Sequence, residues 1–248
     1  MKWKRSIKVT IWVWCILLSL VLLKMGTRVF VGDWFPVNTS SMAPTIIPGD
    51  KIWVNKLIFG ARIYKNPKFL DGMPLQTFRV KGLRKIKNGD VVVFNAPIHQ
   101  TECDSIVFRI DYIYVKRCVG VPGDTVRLPR HSRRGASGGR NENGRQNYYG
   151  ELYVPQKGDT IYLNRNNRRL YRTVIAYETN GTLSFDYHVF KNNYYFMRGD
   201  NTLHSYDSRY FGFVPEEFII GVSRRVLFNN RDGWKQKFDG RRILKRLQ

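Results

Sequence analysis

The sequence predicts a mostly β protein standing behind a single N-terminal membrane-spanning helix. Residues Val9 to Leu23 form a run of fifteen uncharged, mostly apolar side chains. After residue 32, short segments rich in β-branched and aromatic residues alternate with glycine-containing turn signals. No stretch there shows a long, strong 3.6-residue period.

The apolar run is preceded by Lys2, Lys4, Arg5 and Lys8 and followed by Lys24. It lacks the polar stripe that a core helix would carry. The residues after it, Lys24-Met25-Gly26-Thr27-Arg28, contain no pair of small residues of the kind that marks a cleaved signal peptide. Fifteen residues are short for a bilayer core of about 30 Å, but Lys8 and Lys24 can snorkel while Ile7 and Met25 lengthen the apolar stretch. The expectation is a single-pass anchor within residues 1–31. The positive charge ahead of it sets the N-terminus in the cytoplasm and the rest of the chain outside.

Beyond the anchor, the expected strands are Lys51–Val54, Val91–Phe94, Ile110–Val119, Thr160–Leu163 and Thr173–Tyr177. The turn signals between them are Pro48-Gly49-Asp50, Asn88-Gly89-Asp90, Pro122-Gly123-Asp124 and Lys157-Gly158-Asp159. Asn180-Gly181 adds the clearest hairpin signal.

Hydrophobic residues make up 43% of the chain and aromatics 14%, which excludes general disorder. Forty-two Lys and Arg against 19 Asp and Glu leave a formal charge of +23, the balance of a protein beside nucleic acid or an anionic membrane. The anchor selects the membrane. Arg130 to Arg145, RHSRRGASGGRNENGR, lacks stacking aromatics and reads as a solvated loop near lipid head groups rather than a nucleic-acid site. The tail from Arg241 to Arg246 reads as a basic, surface-associated segment with no chemistry of its own. Three cysteines are too few for a disulfide scaffold. Cys103 and Cys118 would share an oxidising compartment, so a bridge between them stays open beside a buried thiol at Cys118.

Four stretches carry the chemistry. Thr39-Ser40-Ser41-Met42-Ala43-Pro44-Thr45 follows the anchor, and Asn88 to Phe94 is a turn feeding a strand. In Tyr112 to Asp124 a lysine sits inside an apolar strand, and alternation puts Tyr112, Tyr114, Lys116 and Cys118 on one face. Lysine is rarely buried unless it is paired or functional, although an edge-strand lysine would look the same. Arg198 to Pro215 is a polar loop between apolar runs.

Ser-Met-x-Pro-Thr, Gly-Asp-Val-Val-Val-Phe, Lys-Arg-x-Val-Gly-x-Pro-Gly-Asp and Gly-Asp-Asn-(x)5-Asp-Ser-Arg-(x)2-Gly-Phe-Val, in that order, resemble the bacterial type I signal peptidases. These serine proteases use a serine–lysine pair. The match covers most of residues 36–125 and 194–222, and the stretch between matches loosely. The resemblance implies an antiparallel catalytic β domain formed by 32–125 and 194–248, with 126–193 as an inserted, lineage-variable β region that includes the basic loop.

Position by position, the resemblance implies that Ser41 is the nucleophile and Lys116 the general base. Thr39, where the family often has serine, would stabilise the oxyanion together with the Ser41 N–H. Ser205 would orient the lysine. Asp207 and Arg209 would brace the site, with Asp200 and Asn201 in the same loop. The implied substrates are exported preproteins, bound as an extended strand and cut after small residues at −1 and −3. The implied place is the bacterial cytoplasmic membrane, with the catalytic domain on its outer side, against anionic head groups and with no nucleic-acid partner.

The chemistry asks for these residue types. A serine hydroxyl needs a base close by. A lysine with an ordinary pKa of about 10.4 is protonated at neutral pH, and burial lowers it. The competing base is His204, next to Ser205, because eukaryotic-type relatives carry histidine at the lysine position. His99, His131 and His188 show no ligand spacing, so no metal and no cofactor are expected. Phe35, Val37, Met42 and Tyr114 are candidate substrate-pocket residues, and ordinary packing explains Phe35, Val37 and Met42 equally well. Trp53, Ile58 and Phe59 would form either a lipid-facing surface or core. A non-catalytic tethered binding module would be expected to lose Ser41 or Lys116 first. A self-cleaving repressor protease would carry a DNA-binding domain where this chain has an anchor.

Overall fold

The computed structural model describes residues 2–65, 75–100, 105–128, 150–165, 167–182, 186–229 and 240–247. Helix α1 (Lys2–Gly26) runs on through a π-helical turn, Thr27–Val31. Its apolar part, Thr10–Val31, has 22 residues with a mean hydropathy of 1.8, and none is buried against the rest of the chain. At 1.5 Å per residue this spans about 33 Å, enough to cross a hydrocarbon core. Trp12, Trp14, Leu18 and Leu23 are all more than half exposed. A helix with an apolar run on all sides and none of that run buried among the described residues is matched to lipid as its solvent.

The strands follow in order: β1 (Gly32–Pro36), β2 (Asp50–Asn55), β3 (Arg62–Tyr64), β4 (Thr77–Arg79), β5 (Val91–Asn95), β6 (Ile98–Gln100), β7 (Ser105–Val107), β8 (Ile113–Gly120), β9 (Thr125–Leu128), β10 (Gly150–Tyr153) and β11 (Thr160–Tyr162). Helix α2 (Arg168–Glu178) comes next, then β12 (Tyr187–Val189) and β13 (Tyr194–Arg198). The short helix α3 (Ser208–Phe211), β14 (Val214–Pro215) and β15 (Ile219–Asn229) complete the set. Seven strands form one antiparallel sheet in the order β1-β2-β15-β5-β8-β13-β14, and the others form four two-stranded pairs. The mostly β expectation is met.

Strand β5, Val-Val-Val-Phe-Asn, is buried along its whole length between β15 and β8. Its unbroken apolar run suits a strand covered on both faces. Four turns share one design. In Ile47–Asp50, Lys87–Asp90, Val121–Asp124 and Gln156–Asp159, the aspartate N–H donates to the carbonyl three residues back at 3.0–3.1 Å. The aspartate side chain in turn accepts that same residue's N–H at 2.9–3.0 Å. The glycines just before the aspartates have φ between +89° and +92°, the left-handed position of a type II turn that a Cβ would strain. Each of these four Gly-Asp pairs is therefore a rigid corner, unlike Gly32-Asp33, which lies in β1, and Gly199-Asp200, whose glycine has no positive φ.

Three expectations need correction. Thr173–Tyr177 is not a strand but the second half of α2, so a 3.6-residue period does occur beyond residue 32. Tyr171, Val174 and Ile175 lie on one side of that helix and are buried with Phe190 and Phe213. This apolar stripe outweighs the local β preference of Thr-Val-Ile. Asn180-Gly181 makes no hairpin. Asn180 (φ 52°) and Gly181 (φ 90°) close α2, with the Gly181 N–H donating to Ala176 O at 2.8 Å. The tail is not merely surface-associated, because Arg242 is buried against Asp50.

Ile58 and Phe59 are core residues, while Trp53 is partly exposed. Cys118 is a buried thiol, its pKa pushed up to about 12 by burial. Cys103, His131 and the Arg130–Arg145 loop lie outside the described residues.

Candidate active site

Ser41 stands in the turn that leaves β1, and the backbone bonds Val37 N to Asp50 O and Gly49 N to Val37 O, both 2.8 Å, close that turn at its base. Lys116 sits in mid-β8 opposite Val92 of β5. The two side chains meet: Lys116 Nζ lies 2.5 Å from Ser41 Oγ, and both residues are buried. Thr39 Oγ1 is 3.4 Å from Ser41 Oγ. The Tyr114 ring lies 5.4 Å from the amine.

Burial takes the Lys116 pKa from its ordinary 10.5 down to about 8. Asp207 pulls it back up, Arg209 opposes that, and Asp200 also raises it. The two carboxylates would restore the proton to the lysine if they were bare, but neither is. Asp207 is held by Arg209 through Nε (2.8 Å) and Nη2 (2.9 Å), and it also accepts the Gly199 N–H at 2.9 Å. Asp200 is gripped by Arg117 Nε (2.8 Å) and Nη2 (2.7 Å). Two forked ion pairs thus leave desolvation as the dominant influence on the amine.

The loop after β13 fastens the serine turn. The Asn201 N–H donates to Ser41 O at 3.1 Å, and Asn201 Nδ2 donates to Ser40 O at 3.2 Å. Arg117 Nη1 reaches Gly89 O at 2.7 Å, so the second, third and fourth motif stretches touch one another. Ser205 is buried, and among the described residues its Oγ has no hydrogen-bond partner. It lies against Gly199, where an added Cβ would collide with it and stand 2.5 Å from Ser41 O.

Val37 and Met42 are packed in the core beside Ile46, Ile52 and Val91. Phe35 is half-buried and lines a cavity, and Tyr114 is half-buried beside the amine. His204 is exposed, with Nδ1 3.4 Å from Asn201 Oδ1, in contrast to the buried lysine on Ser41. His188 is taken up by Glu178, at 2.8 Å from Nε2 to Oε2.

Sequence reasoning gave no role to Arg117, Gly199 or Arg242. Arg117 stood beside Lys116 in its motif and was legible there. Gly199 stood in the loop motif, and only its close approach to Ser205 reveals why it is glycine. Arg242 had no signal at all.

A hydroxyl in contact with a water-starved amine suits acyl transfer. The class that fold and site define is a membrane-anchored serine peptidase. The family model described as "Signal peptidase, peptidase S26" matches residues 9–228, and the chain belongs to that family. It is 30% identical over 218 residues to signal peptidase I of Pseudomonas aeruginosa, with 80% of this chain and 66% of that protein covered. It is 28% identical over 226 residues to signal peptidase I of Rickettsia typhi, covering 84% and 76%. Signal peptidase I P of Bacillus subtilis subsp. natto is 27% identical over 221 residues, covering 88% of each chain.

Proposed function

We propose that this chain removes signal peptides from exported preproteins, with Ser41 as nucleophile and Lys116 as general base. The observation that carries the reading is the 2.5 Å approach of Lys116 Nζ to Ser41 Oγ in a buried setting. The neutral amine takes the Ser41 proton as Oγ attacks the scissile carbonyl. The resulting ammonium gives that proton to the departing amine, which leaves an ester on Ser41. Water, relieved of a proton by the same amine, then hydrolyses the ester and regenerates the serine.

Thr39 Oγ1–H and the Ser41 N–H are the donors assigned to the oxyanion, each worth about 3 kcal/mol in such sites. Ser205, buried and with no hydrogen-bond partner for its Oγ among the described residues, is assigned to orienting the amine. It adds no charge that would favour the protonated lysine. Asp207 with Arg209, and Asp200 with Arg117, hold the loop and mask the carboxylates.

The anchor crosses the bilayer once, with its basic end in the cytoplasm and the β body outside, resting against anionic head groups. Placement favours a preprotein substrate. Ser41 follows the end of the span, Val31, by ten positions, so the site stays near the lipid surface where a signal peptide leaves its apolar segment. Cleavage after small residues at −1 and −3 follows the resemblance.

The test is cleavage of a model preprotein in detergent by wild type, Ser41→Ala and Lys116→Ala. Both variants are expected to fold and to lose cleavage. Retained activity in Ser41→Ala would overturn the reading.

A further inference from the structure

Two strands lead from the membrane to the catalytic pair. β1 begins at Gly32, directly after the closing turn of the membrane helix, and the chain runs on from it to Ser41. β8 starts at the membrane end as well. Its Ile113 shares a cavity wall with Lys56, whose backbone N–H donates to Val31 O of that closing turn at 2.9 Å. From Ile113 to Lys116, β8 has β5 on one side and, among the described residues, no strand on the other.

Past Lys116 the neighbour changes. Arg117 pairs with Arg198, the last residue of β13, and the loop that leaves β13 grips the serine turn. Its Asn201 N–H donates to Ser41 O at 3.1 Å. A peptide entering from the membrane along β1 and β8 therefore meets this loop after it has passed the nucleophile. The loop stands on the mature side of the cut.

This loop holds one apolar side chain out into solvent. Leu203 is 83% exposed, the most of any large hydrophobic residue among the described residues. Its backbone is nevertheless fixed. The His204 N–H closes a turn on Asn201 O at 3.1 Å, Asn201 Nδ2 donates to Ser40 O at 3.2 Å, and Arg209 Nη2 donates to Thr202 O at 2.8 Å. A side chain on a backbone already fixed loses little further freedom when it is covered. The charges nearby are spent, Asp207 on Arg209 and Asp200 on Arg117, so the corner offers apolar contact. Two residues of turn reach about 7 Å beyond Asn201, which puts Leu203 within about 10 Å of Ser41 O, or about three residues of extended peptide.

We propose that Leu203 is a specificity-determining contact on the mature side of the cut. It packs against an apolar side chain one to three residues after the scissile bond. The inference rests on the preprotein-cleaving function proposed above.

The test uses the full chain in detergent with one preprotein carrying Leu, Ser or Glu in turn at +1, +2 and +3. Wild type is compared with Leu203→Ser, Leu203→Lys and, as a control, Leu83→Ser, a leucine outside this loop that is 81% exposed. At one or more of these positions, wild type should favour Leu over Ser by about fivefold in kcat/KM. Leu203→Ser should remove that preference, Leu203→Lys should move it to Glu, and Leu83→Ser should keep the wild-type ranking. The same ranking in all four enzymes at all three positions would overturn the contact while leaving the peptidase reading intact. So would a loss in Leu203→Ser that is equal for every preprotein, the result expected if Leu203 met lipid instead of substrate. Cleavage of no preprotein by wild type would overturn both readings. If Leu203→Ser does not fold, the Leu203→Lys comparison alone decides.

Discussion

Arg242 and Asp50, 192 positions apart, form a buried ion pair in which Arg242 Nε donates to Asp50 Oδ1 at 2.7 Å. The same carboxylate accepts Asn229 Nδ2 at 2.8 Å and the Ile47 N–H at 2.9 Å. Arg242 Nη2 also donates to Thr45 O at 3.1 Å. Asp50 closes the turn that carries Ser41, so the C-terminal segment is a clasp on the serine turn.

Arg242→Ala strands a buried carboxylate and should destabilise the β body by about 3–5 kcal/mol. Pairing it with Asp50→Asn, which removes the stranded charge, should restore part of that loss. Urea unfolding in detergent, followed by tryptophan fluorescence, checks both. An unshifted unfolding midpoint for Arg242→Ala would show that the clasp carries no load.

Activity should depend on Lys116 losing its proton. With its pKa at about 8, the rate rises with pH through about 8, and each pH unit below that costs roughly tenfold. The stability sign follows from linkage. The folded pKa lies below the unfolded 10.5, so the unfolded state binds more protons between about 8 and 10.5, and stability rises with pH across that window. A kcat/KM profile that is flat from pH 6 to 8 would contradict the assignment of Lys116 as base.

Thr39→Val keeps the shape and removes the hydroxyl. It should lower kcat on the order of 100-fold with KM little changed, while Thr39→Ser stays near wild type. Steady-state kinetics on one preprotein separate the two. Equal losses in both variants would point to packing by the methyl group instead.

Gly199→Ala places a Cβ against Ser205 and 2.5 Å from Ser41 O. The serine turn must then move away from the loop that positions it, and a displacement near 1 Å costs about 100-fold in rate. Circular dichroism should show a folded protein, and cleavage should fall by about that factor. Wild-type cleavage in Gly199→Ala would mean that the close approach has no catalytic consequence.

Much of the fold was readable from local rules. The Gly-Asp turns are legible because only glycine sits easily at their left-handed position, and the aspartate then caps its own corner. The strand containing Val91–Phe94 is legible from its unbroken apolar run. Helix α2 was missed because Thr-Val-Ile has the local preferences of a strand, while the spacing of Tyr171, Val174 and Ile175 spoke for a helix. Packing against Phe190 and Phe213 decided between them.

The sequence by itself determined the anchor, the Gly-Asp corners and the identity of the motif residues, because each rests on chemistry within a few positions of chain. Only the tertiary structure decided that Ser41 and Lys116, 75 positions apart, stand in contact. Only it decided that Asp207 and Asp200 are masked by Arg209 and Arg117, and that Arg242 returns to hold Asp50. These relationships depend on which strands lie side by side and on how much water burial removes, and neither is written in local spacing.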